Sequence, residues 1–231
     1  MRLSNLGWSV TLAVASLCGP GANASPATTD APRSVADTAA PTRPAMPDTA
    51  QGLLKRILAS ADHRGLPFAI VDKKAATVAV YLGDGRLVGV APVLLGQTPG
   101  DGSVRGVGER TQRGQLRADD RTTPAGRFAT EPGHNLSGES IVWVDYASAL
   151  AIHRVRTGPS QERRVQGLAS PDARDRRMSA GCVVVPEAFY DAVVHPVLGH
   201  GPGVVYVMPE DDLAQSATSS KTPQTPQQAQ L

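Results

Sequence analysis

The run Ser179-Ala180-Gly181-Cys182 holds the residue types best suited to covalent chemistry, and His153 precedes it at the end of an apolar stretch. A thiol with an ordinary pKa of about 8.5 is only a few per cent thiolate at neutral pH, and a neighbouring imidazole corrects this by taking the proton. Cys182 is therefore the candidate nucleophile and His153 the candidate base. Gly181 removes a side chain beside the sulfur, so a substrate carbonyl can approach and backbone N–H groups can receive an oxyanion, with Ser179 supporting the turn. Taken alone, such a run also fits a packed turn.

The thiol inventory sharpens the case. Only Cys18 and Cys182 occur, and Cys18 lies in an N-terminal segment with the form of a secretory leader. Arg2 is followed by an apolar stretch from Leu6 to Leu17 and by the small-residue pattern Ala22-Asn23-Ala24, so residues 1–24 are expected to be removed on export to a periplasm. The apolar run is shorter than the ~20 residues that span a bilayer, and the mature chain is expected to have no membrane span. A single cysteine in an oxidising compartment is either buried and inert or retained for reactivity.

Composition bounds the fold. Residues 25–48 are rich in Ala, Thr, Pro and Asp, and residues 212–231 in Gln, Ser, Thr and Pro. Neither stretch has the apolar surface to offset its ordering entropy, so a disordered linker and a disordered tail are expected. The residues between suit one domain. A formal net charge of +2 gives no reason to expect nucleic acid as a partner. Arginine concentrates locally between Arg154 and Arg177, a stretch read as a cationic loop of the sign that attracts an acidic substrate, or as a merely solvated one.

The elements that must position the cysteine and histidine read mainly as β. Leu53, Leu54, Ile57, Leu58 and Ala61 recur at helical spacing before Gly65 and Pro67, giving a short amphipathic helix within residues 49–66 whose stripe docks on the domain. Period-two runs between Phe68 and Leu95 broken by Gly83-Asp84-Gly85 predict a hairpin. Residues 96–121 read as a long loop. Strands are predicted at Ile141–Tyr146, Leu150–His153, Val183–Val185 and Val204–Met208, with a helix from Glu187 to Leu198. The fold class is thus mainly β with one or two short peripheral helices. His63, His134, His195 and His200 lack ligand spacing, so no metal or cofactor is expected.

Three local features together resemble the L,D-transpeptidase catalytic domain of bacterial cell-wall enzymes over residues 67–209: the β-hairpin opening, the segment Thr123-Pro124-Ala125-Gly126-Arg127-Phe128, and His153 with Ser-x-Gly-Cys. The resemblance implies a β domain whose cysteine attacks a peptidoglycan stem peptide at a diaminopimelate carbonyl. The resulting thioester is resolved by an acceptor amine, or by water in a carboxypeptidase. It gives Cys182 the role of nucleophile and His153 that of base. The chain departs from the family pattern at Ala180, where many members have His, at Val184, where they have Asn or Arg, and at Arg154, where Gly is common.

Two other readings compete. A sortase-like transpeptidase also places His before Cys, but its Thr-Leu-x-Thr-Cys pattern does not fit Ser-Ala-Gly-Cys. A catalytically silent wall-binding module would keep Cys182 as a buried packing residue.

Overall fold

A computed structural model describes residues 48–156 and 158–210. The expected leader, the tail and the linker up to residue 47 lie outside the described residues. The first helix, α1 (Asp48–Ser60), precedes a meander of β1 (Phe68–Asp72), β2 (Thr77–Tyr81) and β3 (Leu87–Pro92). Then come the two-residue β4 (Leu95–Gly96), α2 (Val107–Gln112), β5 (Gly126–His134), β6 (Ser140–Asp145) and β7 (Leu150–Arg154). The chain continues through α3 (Gln161–Ala169), a 3-10 turn Ala173–Arg176, β8 (Arg177–Ser179) and β9 (Val183–Val185). A helical run over residues 187–198, π-helical at Tyr190–Val194, leads to β10 (Gly203–Val207).

Eight strands form one mixed sheet in the order β3-β2-β1-β10-β5-β6-β7-β9, and β4 pairs with β8 beside it. The last long strand is inserted at the centre, parallel to β1 and antiparallel to β5. Its position explains its composition. All five residues of β10 are buried, as are all five of β1, so Phe68–Val71 and Gly203–Val207 read as apolar runs.

One face of that sheet carries Ala69, Val71, Val80, Val142, Ile152, Val183, Val185 and Val205, covered by Tyr190, Val194 and Leu198 of the 187–198 run. The opposite face of β1, β2 and β10 carries Phe68, Ile70, Tyr81 and Tyr206, and α1 seals it with Ala50, Ile57, Leu53 and Leu54. Leu58 sits at the margin, 40% exposed, against the Gly83-Asp84-Gly85 turn. Gly85 suits the turn because its φ of +84 lies in the left-handed region that L side chains rarely adopt.

Three sequence readings are corrected. Residues 96–121 contain α2, and the cationic stretch from Arg154 to Arg177 is a helix, a 3-10 turn and a strand in place of a loop. In α3 only Gly167 and Leu168 are buried, too few apolar contacts to leave a helical period in the sequence. The nine-residue β5 was not anticipated, because only Thr130 of its side chains is buried. Backbone pairing to β10 and β6 holds it, and hydrophobic alternation plays no part. The mainly β fold with short peripheral helices stands, and beside α1 and the 187–198 run the described residues add α2 and α3.

Candidate functional site

Parallel pairing of β7 and β9 brings the two candidate residues together. Ile152 pairs with Val183 and His153 with Val184, so one step earlier Cys182 stands beside Ala151. Ile152, Val183 and Val185 face the main core, which turns His153, Val184 and Cys182 to the opposite face. With ordinary strand spacing and rise, the Cα atoms of His153 and Cys182 are diagonal neighbours about 8 Å apart.

His153 is buried, and its Nδ1 lies 2.7 Å from the Arg154 carbonyl oxygen. A carbonyl can only accept, so Nδ1 carries the proton of the neutral ring and Nε2 is left with the lone pair. Burial first, and then the nearby Arg156 and Arg164 guanidinium groups, push the His153 pKa down to about 4. The ring is therefore neutral at pH 7. Arg154 serves through its carbonyl alone. Its guanidinium turns to the other face, 4.8 Å over the Tyr190 ring and paired with Asp191 at 3.0 Å.

The Cys182 thiol donates to the Ala149 carbonyl at 3.4 Å and packs beside the cluster of Leu94, Val155, Leu168 and Val184. Burial pushes its pKa up, against the Ala151 backbone hydrogen bond and the charge of Arg156, which favour the thiolate. No hydrogen bond joins Sγ to His153 among the described residues. The resting pair is accordingly a neutral thiol and a neutral imidazole, so Sγ must give up its proton before or during any attack.

Hydrogen bonds from Ser179 and Thr123 brace the turn at the sulfur. The Ser179 hydroxyl donates to the Cys182 carbonyl at 2.6 Å and accepts the Gly181 N–H at 3.1 Å. Gly181 has φ +128, and a Cβ would lie 3.0 Å from the Thr122 carbonyl oxygen, so only glycine suits the position. The Gly181 N–H that the sequence offered to an oxyanion is thus already engaged, and Ser179 and Gly181 act as backbone support. Ala180 is exposed.

The sequence did not reveal the frame behind this turn. Thr123 is fully buried, and its hydroxyl joins the Gly96 N–H (2.8 Å) to the Gly181 carbonyl (2.7 Å). Lys73, equally buried, donates to the carbonyls of Gly100 (2.6 Å) and Thr123 (2.9 Å) and pairs with Asp101 at 2.6 Å. Glu210 lies 3.4 Å from Lys73 and 2.5 Å from Arg177, one strand before the cysteine turn. Arg110 grips the buried Asp120 and, with the Arg117 N–H, holds that carboxyl down at about 2. Residues 97–123 are pinned to the site by these contacts. Only the Thr-Pro-Ala-Gly-Arg-Phe segment hinted at them, and it did so without assigning Thr123 a role.

On the same face a row crosses the sheet: Glu131 pairs with Trp143, Trp143 with Ala151, and Ala151 adjoins Cys182. Trp143 stacks on Tyr146, with ring centroids 4.5 Å apart and Tyr146 60% exposed. Ala151, buried and small, separates the Trp143 position from the sulfur along that row. Among the described residues no group of three or more His, Cys, Asp or Glu is arranged to hold a metal ion.

The buried neutral state of His153 has a measurable consequence. Its folded pKa is depressed to about 4 from 6.5, so between these values the unfolded chain binds the extra proton. Stability falls as pH drops from about 6.5 toward 4, and the same unfolding series on His153→Gln should be flatter across that window. Parallel curves for the two proteins would contradict the buried neutral ring.

No family model and no curated protein matches the chain. Among solved structures it is similar to the helical cell shape determining protein Pgp2 from Campylobacter jejuni, at 15% identity and TM-score 0.43, covering 64% of this chain and 49% of that one. The catalytic domain of the E. faecium L,D-transpeptidase aligns at 19% identity and TM-score 0.33, covering 61% and 95%. An L,D-transpeptidase from Mycobacterium smegmatis aligns at 17% identity and TM-score 0.35, covering 62% and 58%. The chain spans about half the length of Pgp2. These likenesses are too distant to assign chemistry, which rests on the site itself.

Proposed function

We propose that the chain is an exported cysteine acyltransferase of the L,D-transpeptidase type, acting on peptidoglycan stem peptides through a Cys182 thioester. The observation that carries this reading is the shared face of Cys182 and His153, with Nδ1 committed to the Arg154 carbonyl and Nε2 left to take a proton.

Rotation about χ1 exchanges the Ala149 carbonyl for His153 Nε2 as the partner of the thiol. As Sγ attacks the donor carbonyl, its proton passes to Nε2 and a C–S bond forms. The carbonyl oxygen becomes an oxyanion facing the Cys182 N–H. Collapse breaks the C–N bond, and the proton on Nε2 goes to the leaving amine. An acceptor amine, or water, then attacks the thioester carbonyl, forming a C–N or C–O bond as its proton passes to Nε2; the C–S bond breaks and Nε2 returns that proton to sulfur, restoring the thiol. The apolar Val184 beside His153 replaces the polar residue of the L,D-transpeptidase pattern, so charged parts of the substrate are left to Arg156 and Arg164. The Trp143–Tyr146 platform offers the donor an apolar wall.

One observation favours a second reading. The packing of Cys182 beside Leu94, Leu168 and Val184 suits a silent wall-binding module with a structural thiol. Both readings are tested by incubating the purified mature chain with disaccharide-tetrapeptide and weighing the products. The enzyme yields cross-linked dimer, or tripeptide with the released residue. Unchanged substrate together with a folded-state thiol that resists alkylation would establish the silent module.

A further inference from the structure

Gly181 and Cys182 carry four backbone polar groups, and three have partners. The Gly181 N–H donates to Ser179 Oγ, the Cys182 carbonyl accepts from the same hydroxyl, and the Gly181 carbonyl accepts from Thr123 Oγ1. The fourth, the Cys182 N–H, has no partner among the described residues. Cys182 is half-buried, and an unengaged backbone donor beside a candidate nucleophile can take a ligand oxygen.

What fixes its direction is a single hydroxyl. In a trans peptide the C=O and N–H point opposite ways, so holding the Gly181 oxygen sets the Cys182 N–H. Thr123 Oγ1 has one proton. The Gly181 carbonyl must receive it, because the other neighbour, the Gly96 N–H at 2.8 Å, can only donate. Next to a glycine with φ +128, a peptide is otherwise free to flip and would aim its carbonyl oxygen where the N–H now points. Lys73 in turn holds the Thr123 carbonyl at 2.9 Å, fixing the threonine from behind.

We propose that Thr123 is a positioning residue that aims the Cys182 N–H at the oxyanion formed when Cys182 is acylated. This rests on the nucleophile assignment above but not on the identity of the donor. It separates two reactions of one thiol: acylation passes through an oxyanion, whereas alkylation by iodoacetamide displaces iodide at carbon and does not.

The test compares the mature chain with Thr123→Val, which keeps the shape and loses the hydroxyl, and with Thr123→Ser, which keeps the hydroxyl. Acylation is followed with 4-nitrophenyl acetate and alkylation with iodoacetamide. The valine variant should lose about 10- to 100-fold in acylation with alkylation changed less than about twofold, and serine should restore most of the loss. An equal fall in both rates, no fall in acylation, or a serine variant as slow as valine would each overturn the proposal. Should the valine variant not fold, Thr123→Ala replaces it under the same criteria. Failure on disaccharide-tetrapeptide with the two rates still separated would remove the donor assignment and leave this inference standing.

Discussion

Replacing Cys182 with alanine is expected to lower acyl transfer by about four orders of magnitude or more, to the uncatalysed level, while the protein keeps its fold. No other described residue is a thiol, and no hydroxyl lies on the same strand step beside His153 to take over the attack. The fold should survive because the turn does not depend on the sulfur. Its hydrogen bonds run through Ser179 Oγ and Thr123 Oγ1, whereas Sγ adds the 3.4 Å bond to the Ala149 carbonyl, a hydrogen bond with the Ala151 backbone and partial packing beside Leu94 and Val184. Thermal unfolding and far-ultraviolet circular dichroism check the fold, and product analysis checks the rate. A folded, active Cys182→Ala protein would remove the nucleophile assignment.

Replacing His153 with alanine should lower turnover by about two to four orders of magnitude, the range associated with losing a general base. The loss should shrink as pH rises, because hydroxide then ionises a thiol whose pKa burial has raised above the ordinary value. Added imidazole should restore part of the rate at neutral pH. The variant also loses a buried ring, so its melting temperature must be measured in parallel. An undiminished rate at neutral pH in a folded variant would point to another base, or to none.

The parts of this site differ in how legible they were in the sequence. Strands β1, β2, β7, β9 and β10 were readable because each buries at least one full face, which writes apolar stretches into Phe68–Val71, Leu150–Ile152 and Val183–Val185, and β6 was readable from Ile141, Val142 and Val144. The role of α1 followed from Leu53, Leu54 and Ile57. What was illegible had no local period to reveal it. β5 is held by its backbone between two partners, and α3 docks through little more than Leu168. The Lys73 frame joins side chains far apart in the chain, Asp101, Arg177 and Glu210, each of which alone reads as an ordinary surface charge.

The same contrast holds within the site. Cys182 and His153 were identifiable by residue type and order, and sheet register makes them neighbours. Gly181 was singled out for its missing side chain, which leaves backbone N–H groups open to an oxyanion, yet its own N–H is bound by Ser179. The unengaged donor is its successor's, and the residue proposed to aim it is Thr123. A hydroxyl acting across the fold leaves no spacing signal, because its partners at Gly96 and Gly181 are backbone atoms.

The measurement closest to the central claim is peptide mapping by mass spectrometry of the mature chain, quenched in acid shortly after mixing with disaccharide-tetrapeptide. The account predicts an acyl mass on the peptide that contains Cys182, removable by hydroxylamine as a thioester is, and absent from Cys182→Ala. An adduct on any other residue, or none at all on a protein that converts the substrate, would contradict it.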